Sequence, residues 1–279
     1  MKIKKLSKVF TLTIALCLMA VSLTACGGSK GDVKTAKEPV LASEAFNQEG
    51  IWFTSEGIVG KDENIYSILV FDGKGNVTPY KCDKLTFSDL KELSDDEIIS
   101  LAKEQDKTRF ESDIASLTSS IDNEKTKLSE ERDSLENDMN EAIALEPDMS
   151  SEYKELYDVD RYQEEFTFMD SLLSEISNLE YKEPESVPYL MHIETDNSGN
   201  GTKEETLEFE REYLSTSYSN NMTEIKKTST AETQLFPDYG TQTVYDMNFR
   251  GFGSIVTIVS ENHAGFMLDT PDTKGIEVD

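Results

Sequence analysis

The sequence predicts an α+β protein, in which an antiparallel sheet or partial barrel carries a long inserted antiparallel helical hairpin. Three observations point there. Residues 50–82 and 188–279 are rich in β-branched and aromatic side chains, which in the second stretch alternate with period two. From Ser94 to Leu145 the chain has neither proline nor glycine, and charged residues dominate. Within that stretch Ile114, Ile121, Leu128, Leu135 and Ala142 recur every seven residues, the spacing of a coiled-coil seam.

The chain begins with Lys2, Lys4, Lys5 and Lys8, an apolar run from Val9 to Val21, and small residues leading to Cys26. A basic start, a short apolar stretch and a small-residue cleavage site make a secretory signal. The run is shorter than the roughly 20 apolar residues a spanning helix needs. Leu23-Thr24-Ala25-Cys26, followed by Gly27, resembles the lipobox of bacterial lipoproteins of Gram-positive type. The alternative is an ordinary secretory signal with an incidental cysteine. The resemblance implies diacylglycerol on the Cys26 sulfur and cleavage before it. It also implies a protein anchored to the extracytoplasmic face of the cell membrane without spanning it. Each buried methylene contributes about 0.8 kcal/mol, so two acyl chains anchor stably where one does not. The expected organisation is a signal peptide over residues 1–25 and a lipidated Cys26 with a flexible tether over 26–46. A single α+β domain then covers 47–279, with the helical insertion at 86–181.

The signal takes four of the 27 basic residues and none of the 55 acidic ones, which leaves a net charge of −32. Such a surface repels nucleic acid and anionic lipid. Cys17 leaves with the signal and Cys26 takes lipid, so Cys82 has no intramolecular disulfide partner. It reads as a small buried apolar residue.

Gly27 to Phe46 is rich in Gly, Ser, Lys and Ala and reads as a stalk. Packing starts at Gly50-Ile51-Trp52-Phe53. Residues 65–71 are apolar on both faces, and Asp72-Gly73-Lys74-Gly75-Asn76 turns the chain into Val77-Thr78-Pro79-Tyr80, a hairpin. Gly50-x-Trp52, with Phe71-Asp72-Gly73-x-Gly75-x-Val77, resembles the opening of lipocalin-like barrels in bacterial lipoproteins. A Trp52 in the core of any antiparallel sheet gives the same pattern.

Thr86 to Leu93 reads as a short helix, and Ser94-Asp95-Asp96-Glu97 as a capping box that starts a long one. The column three residues after the seam runs Leu117, Glu124, Glu131, Asp138, so the part near the turn is expected to be solvated. Glu146-Pro147-Asp148 breaks the helix. A second helix, from about Ser150 to Tyr181, carries the stripe Val159, Tyr162, Phe166, Met169, Leu173 and Ile176. The hairpin packs on itself and the sheet, or its far end captures a partner helix.

In the second β segment, Tyr189, Met191 and Ile193 alternate with polar residues, as do Leu207, Phe209 and Arg211. Thr202 to Ser219 also fits a helix. Within Asp196-Asn197-Ser198-Gly199-Asn200-Gly201, Asp196, Ser198, Asn200 and Gly201 match positions 1, 3, 5 and 6 of a calcium loop. Position 12 is Leu207, which lacks the bidentate carboxylate, and a plain turn explains the same residues. Tyr245, Met247 and Phe249 alternate, Gly251 to Gly253 turns, Ser254 to Ser260 is a β-branched strand, and Phe266-Met267-Leu268 closes a meander. His263 sits in a turn beside Glu261, exposed or else poised to bind metal or sense pH.

No zinc-ligand pair, phosphate-binding loop, dinucleotide fingerprint or nucleophile elbow occurs. No catalytic residue, cofactor or metal is therefore expected. The expected function is non-enzymatic: a lipid-anchored protein that touches the membrane through Cys26 and binds a protein partner through the hairpin, or serves the envelope. The alternative is a lipocalin-like carrier of a small apolar ligand, and the third class is a hydrolase.

Overall fold

The computed structural model describes residues 32–215 and 225–278. Cys26 and the lipobox residues Leu23, Thr24 and Ala25 lie outside the described residues. The elements in chain order are β1 (Val40–Leu41), α1 (Ala42–Phe46), β2 (Glu49–Thr54), β3 (Asn64–Asp72) and β4 (Asn76–Thr86). The helices α2 (Asp95–Leu145), α3 (Ser150–Tyr157) and α4 (Arg161–Ser177) follow. Then come β5 (Val187–Thr195), β6 (Thr202–Leu214), β7 (Lys226–Leu235), β8 (Gln242–Val244), β9 (Met247–Phe252), β10 (Ile255–Val259), β11 (Phe266–Met267) and β12 (Glu277–Val278). The class is mixed α+β, with the helices between the two β segments.

The main sheet runs β7-β6-β5-β4-β3-β2-β10-β9-β8, every neighbour antiparallel, and β12 joins β5 in parallel. The sheet is open: its end strands β7 and β8 do not pair. Thr202 onward is strand, not helix, because Leu207 and Phe209 bury one face of β6 against Met191. β3 is apolar on both faces because both are covered. Leu69 and Phe71 face the sheet interior, while Ile65 and Ile68 face α2. A register shift between Ile65 and Ser67 lets those two isoleucines share a side.

The sheet does not close into a barrel, and its interior face is covered in part by the segment expected to be a stalk. The tether expected over residues 26–46 is corrected from Asp32 onward. Ala42, Ala45 and Phe46 are fully buried. The Phe46 ring lies 4.8 Å from Trp52, 4.9 Å from Phe71 and 5.5 Å from Phe252, centre to centre. Ring pairs at such distances contribute about 0.5–1.5 kcal/mol each beyond area burial. Backbone bonds fix the same segment: Val40 N donates to Gly265 O at 3.0 Å, and Ser260 N donates to Lys34 O at 2.8 Å.

The expected capping box is present, with Ser94 and Glu97 satisfying each other's backbone donors. The first turns of α2 lay Ile98 and Ala102 on the outer face of the sheet. Further along, Ile121 packs with Met169, Leu172 and Ile176 of α4, and Lys125 pairs with Asp170. Between Ile121 and Tyr162 no described residue is fully buried, which agrees with the polar column near the turn. The second helix is interrupted: Asp158 adopts φ 43°, a left-handed conformation that ends α3. The α4 face centres on Leu172 rather than Leu173.

Two turns also move. Tyr245, expected inside a strand, adopts φ 52° at the tip of the β8–β9 hairpin. Gly251, expected in a turn, is paired with Val256 inside β9, where a Cβ would sit 2.1 Å from Ile255 O.

Candidate functional site

β4 and β5 pair only at Asn76–Pro188 and Val77–Val187. Beyond Val77 they diverge, so one edge of β4 lies open in the middle of the sheet. An open edge leaves unpaired N–H groups, which are costly to bury. Two α2 side chains resolve this. Lys81 N donates to Asp106 Oδ1 at 2.8 Å, and Asp83 N donates to Gln105 Oε1 at 3.0 Å. Strand alternation turns Pro79 to the same edge, and proline has no N–H to satisfy there.

The divergence leaves a crevice of about 380 Å³ between β4, β6, α2 and the chain from Leu179 to Val187. Ser67, Pro79 and Lys81 form its floor, Asp106, Phe110 and Asp113 come from one face of α2, and Phe209 and Arg211 come from β6. A neighbouring depression of about 340 Å³ shares Ser67, Phe209 and Arg211 with it. Tyr181 closes the roof, its ring 5.8 Å from Phe110. Glu183 Oε1 holds that roof segment by accepting from Tyr80 Oη and by pairing with Lys103 Nζ, both at 2.9 Å. Those two bonds, chiefly that from Lys103, draw the Glu183 carboxyl below its ordinary range.

The polar groups divide into those with partners and those without. Asp113 is bonded to Arg109 at 2.8 Å. Asp106 spends Oδ1 on the β4 edge; burial raises its carboxyl, and the Lys81 N–H acts in the opposite direction. Lys81 makes no ion pair among the described residues. Burial pulls its amine below the ordinary range, Asp113 and Asp106 oppose that, and the nearby Arg211 adds to it. The Tyr181 hydroxyl is buried against the Asp106 carboxylate, with which it interacts. Burial and the neighbouring Asp106 charge both raise it.

The residues singled out in the sequence fall elsewhere. Cys82 is buried, as expected, on the other face of β4, and burial pushes its thiol up to about 12. Asp196 makes a turn: its Oδ1 accepts from Ser198 N at 2.9 Å and from Ser198 Oγ at 2.6 Å. His263 is buried rather than exposed. Its Nδ1 accepts from Gly265 N at 2.9 Å and its Nε2 bonds Val33 O at 2.8 Å, which ties it to the N-terminal segment. Among the described residues no group of His, Cys, Asp and Glu is arranged to hold a metal ion. No described helix is long and apolar enough to cross a membrane.

Sequence reasoning missed Lys81, Asp106, Tyr181 and Arg211, which come from four separate segments. The available signal was Lys81, a charge that strand alternation puts on the same side of β4 as Val77 and Pro79. No protein family, curated protein or solved structure matches the chain.

Proposed function

We propose that this is a non-enzymatic binding protein, anchored through a lipidated Cys26 to the extracytoplasmic face of a bacterial cell membrane. The crevice beside Lys81 is the element that takes a small ligand. The observation that carries the reading is the divergence of β4 from β5, which opens a polar and aromatic cavity in the sheet. Its volume lies in the range of small-molecule sites, and its walls are mainly charged and aromatic. The Phe46 cluster fills the place where a lipocalin-like barrel would hold its cargo, so the ligand belongs at the seam. The anchor reading rests on Leu23-Thr24-Ala25-Cys26.

The test is native mass spectrometry of the full chain extracted from its own membranes. The wild type carries a discrete adduct that is absent from Ser67→Trp, which fills the crevice floor. A clean mass for both refutes ligand capture. Cys26→Ser abolishes metabolic labelling with palmitate; persistent labelling refutes the anchor.

A second reading concerns the helices. We read α2 against α3 and α4 as an antiparallel hairpin whose far end meets a protein. Leu145 and Leu156 are 84% and 74% exposed beside the turn, on an acid-rich arm that suits a basic amphipathic segment. Leu145→Glu with Leu156→Glu removes such binding and leaves folding intact. Unchanged capture of partners cross-linked at the tip excludes it.

A further inference from the structure

We propose that Glu205 and Asp269 form a proton-dependent latch. A proton held between the two buried carboxyls fastens the C-terminal strap, residues 268–278, to β6 and α1, and loss of that proton frees the strap.

The strap follows β11, which pairs with β1 at two positions, and it ends where β12 pairs with β5 at His192 and Ile193. Leu268 and Ile276 pack against the interior cluster that holds Phe46. Polar ties converge on Asp269. Its Oδ2 accepts from Ser43 N at 2.6 Å and its Oδ1 from Ser43 Oγ at 2.8 Å, which joins it to α1. Its N–H donates to Glu205 Oε2 at 2.8 Å, and its carbonyl accepts from Thr202 Oγ1, which joins it to β6.

Burial sets the chemistry. Glu205 and Asp269 are 0% and 1% exposed, and their carboxyl groups interact directly. Two such groups shielded from water repel strongly when both are charged, and one proton between them removes the repulsion. Both Asp269 oxygens accept from Ser43, whereas Glu205 Oε1 has no donor among the described residues, so the proton sits on Glu205.

The surroundings bring no cation to the pair. β5 and β7 set Ile193 and Leu235 directly opposite Glu205. On β6 itself, Lys203 is paired with Glu194. α1 brings Ser43 and, after it, the acidic Glu44. The other charges of the strap, Asp272, Lys274 and Glu277, are exposed. Burial, with the Asp269 charge adding to it, pushes the Glu205 carboxyl up to about 8. Above that pH two carboxylates face each other. The strap yields first, because β6 is paired along its length with both β5 and β7, whereas the strap is held by two strand pairs at either end. Moving Asp269 into water separates the charges and uncovers the apolar cluster beneath Leu268 and Ile276.

The experiment is hydrogen–deuterium exchange of the full chain in nonionic detergent at about pH 6.5 and about pH 9.5, with labelling times scaled to the intrinsic chemical rate. In the wild type the amides of residues 268–278 are expected to lose protection about tenfold or more at the higher pH, while β3 stays protected through the same labelling times. Glu205→Gln, neutral at both pH values, keeps the strap protected at both. Asp269→Asn removes the facing charge and weakens the pH effect, which keeps the test open if Glu205→Gln misfolds. Strap protection that does not change with pH in the wild type, or that falls equally in Glu205→Gln, overturns the latch. A loss of protection in β3 that accompanies the strap also overturns it, because the whole sheet then responds rather than the strap.

Discussion

Replacing Phe46 with alanine tests whether residues 32–46 belong to the core or hang from it. The ring is 0% exposed and touches Trp52, Phe71 and Phe252. Removing a buried phenylalanine costs about 3–5 kcal/mol, from lost burial and from the cavity left behind. The upper half of that range applies, because the hole is lined by rings held in strands that cannot move together without breaking the ladder. Domains are stable by about 5–15 kcal/mol, so the loss is a large part of the whole. With a urea slope of about 2 kcal/mol/M, the midpoint falls by roughly 2 M. The assay is urea unfolding followed by fluorescence of the single tryptophan, Trp52, whose ring centre lies 4.8 Å from that of Phe46. Leu145→Ala, at an exposed position, serves as the control and changes stability by no more than about 0.5 kcal/mol. A loss under about 1 kcal/mol for Phe46→Ala refutes the reasoning and returns the segment to a tether.

Three further outcomes are expected. Glu205 is fully buried with the Asp269 carboxylate beside it, and its carboxyl is pushed up to about 8, chiefly by burial. The folded chain thus keeps a proton that the unfolded chain releases near 4.5. Stability from this group is full below that pH and is lost as pH rises towards 8, by at most on the order of 5 kcal/mol. Glu205→Gln, which keeps the shape and stays neutral, flattens that fall between pH 5 and 8.5 in urea titrations; an unchanged slope refutes the assignment. Cys82, with its thiol raised to about 12 by burial, resists a disulfide reagent at pH 8 until urea unfolds the chain, and rapid labelling of the native state contradicts its burial. Gly251→Ala places a methyl 2.1 Å from Ile255 O and forces β9 and β10 apart. The thermal midpoint drops by several degrees for a loss of about 2 kcal/mol, and a drop within error means the hairpin yields freely.

Much of the architecture is legible in the sequence because it depends on near neighbours. Apolar, β-branched or alternating runs give β2 to β6 and β10, the Ser94–Glu97 box gives the start of α2, and Pro147 gives its end. The break at Asp158 was hidden because a left-handed aspartate leaves no proline or glycine behind. Tyr245 and Gly251 were misplaced for a related reason: whether a glycine turns or pairs depends on what lies across from it, here Ile255 O.

What the sequence by itself determined is local: the α+β class and the place of the helices between the two β segments. Tertiary structure decided the rest. Residues 40–46 form an apolar run too short to show which core it joins, yet Phe46 finds three rings brought from residues 52, 71 and 252. The crevice is equally non-local, since Lys81 gains its surroundings only because β5 turns away after two pairs and α2 fills the edge with Asp106 and Gln105. Periodicity reports which face of an element is apolar. Which distant segment covers that face, and where two strands part, depends on the packing of the whole chain, and in this protein that packing places the candidate site.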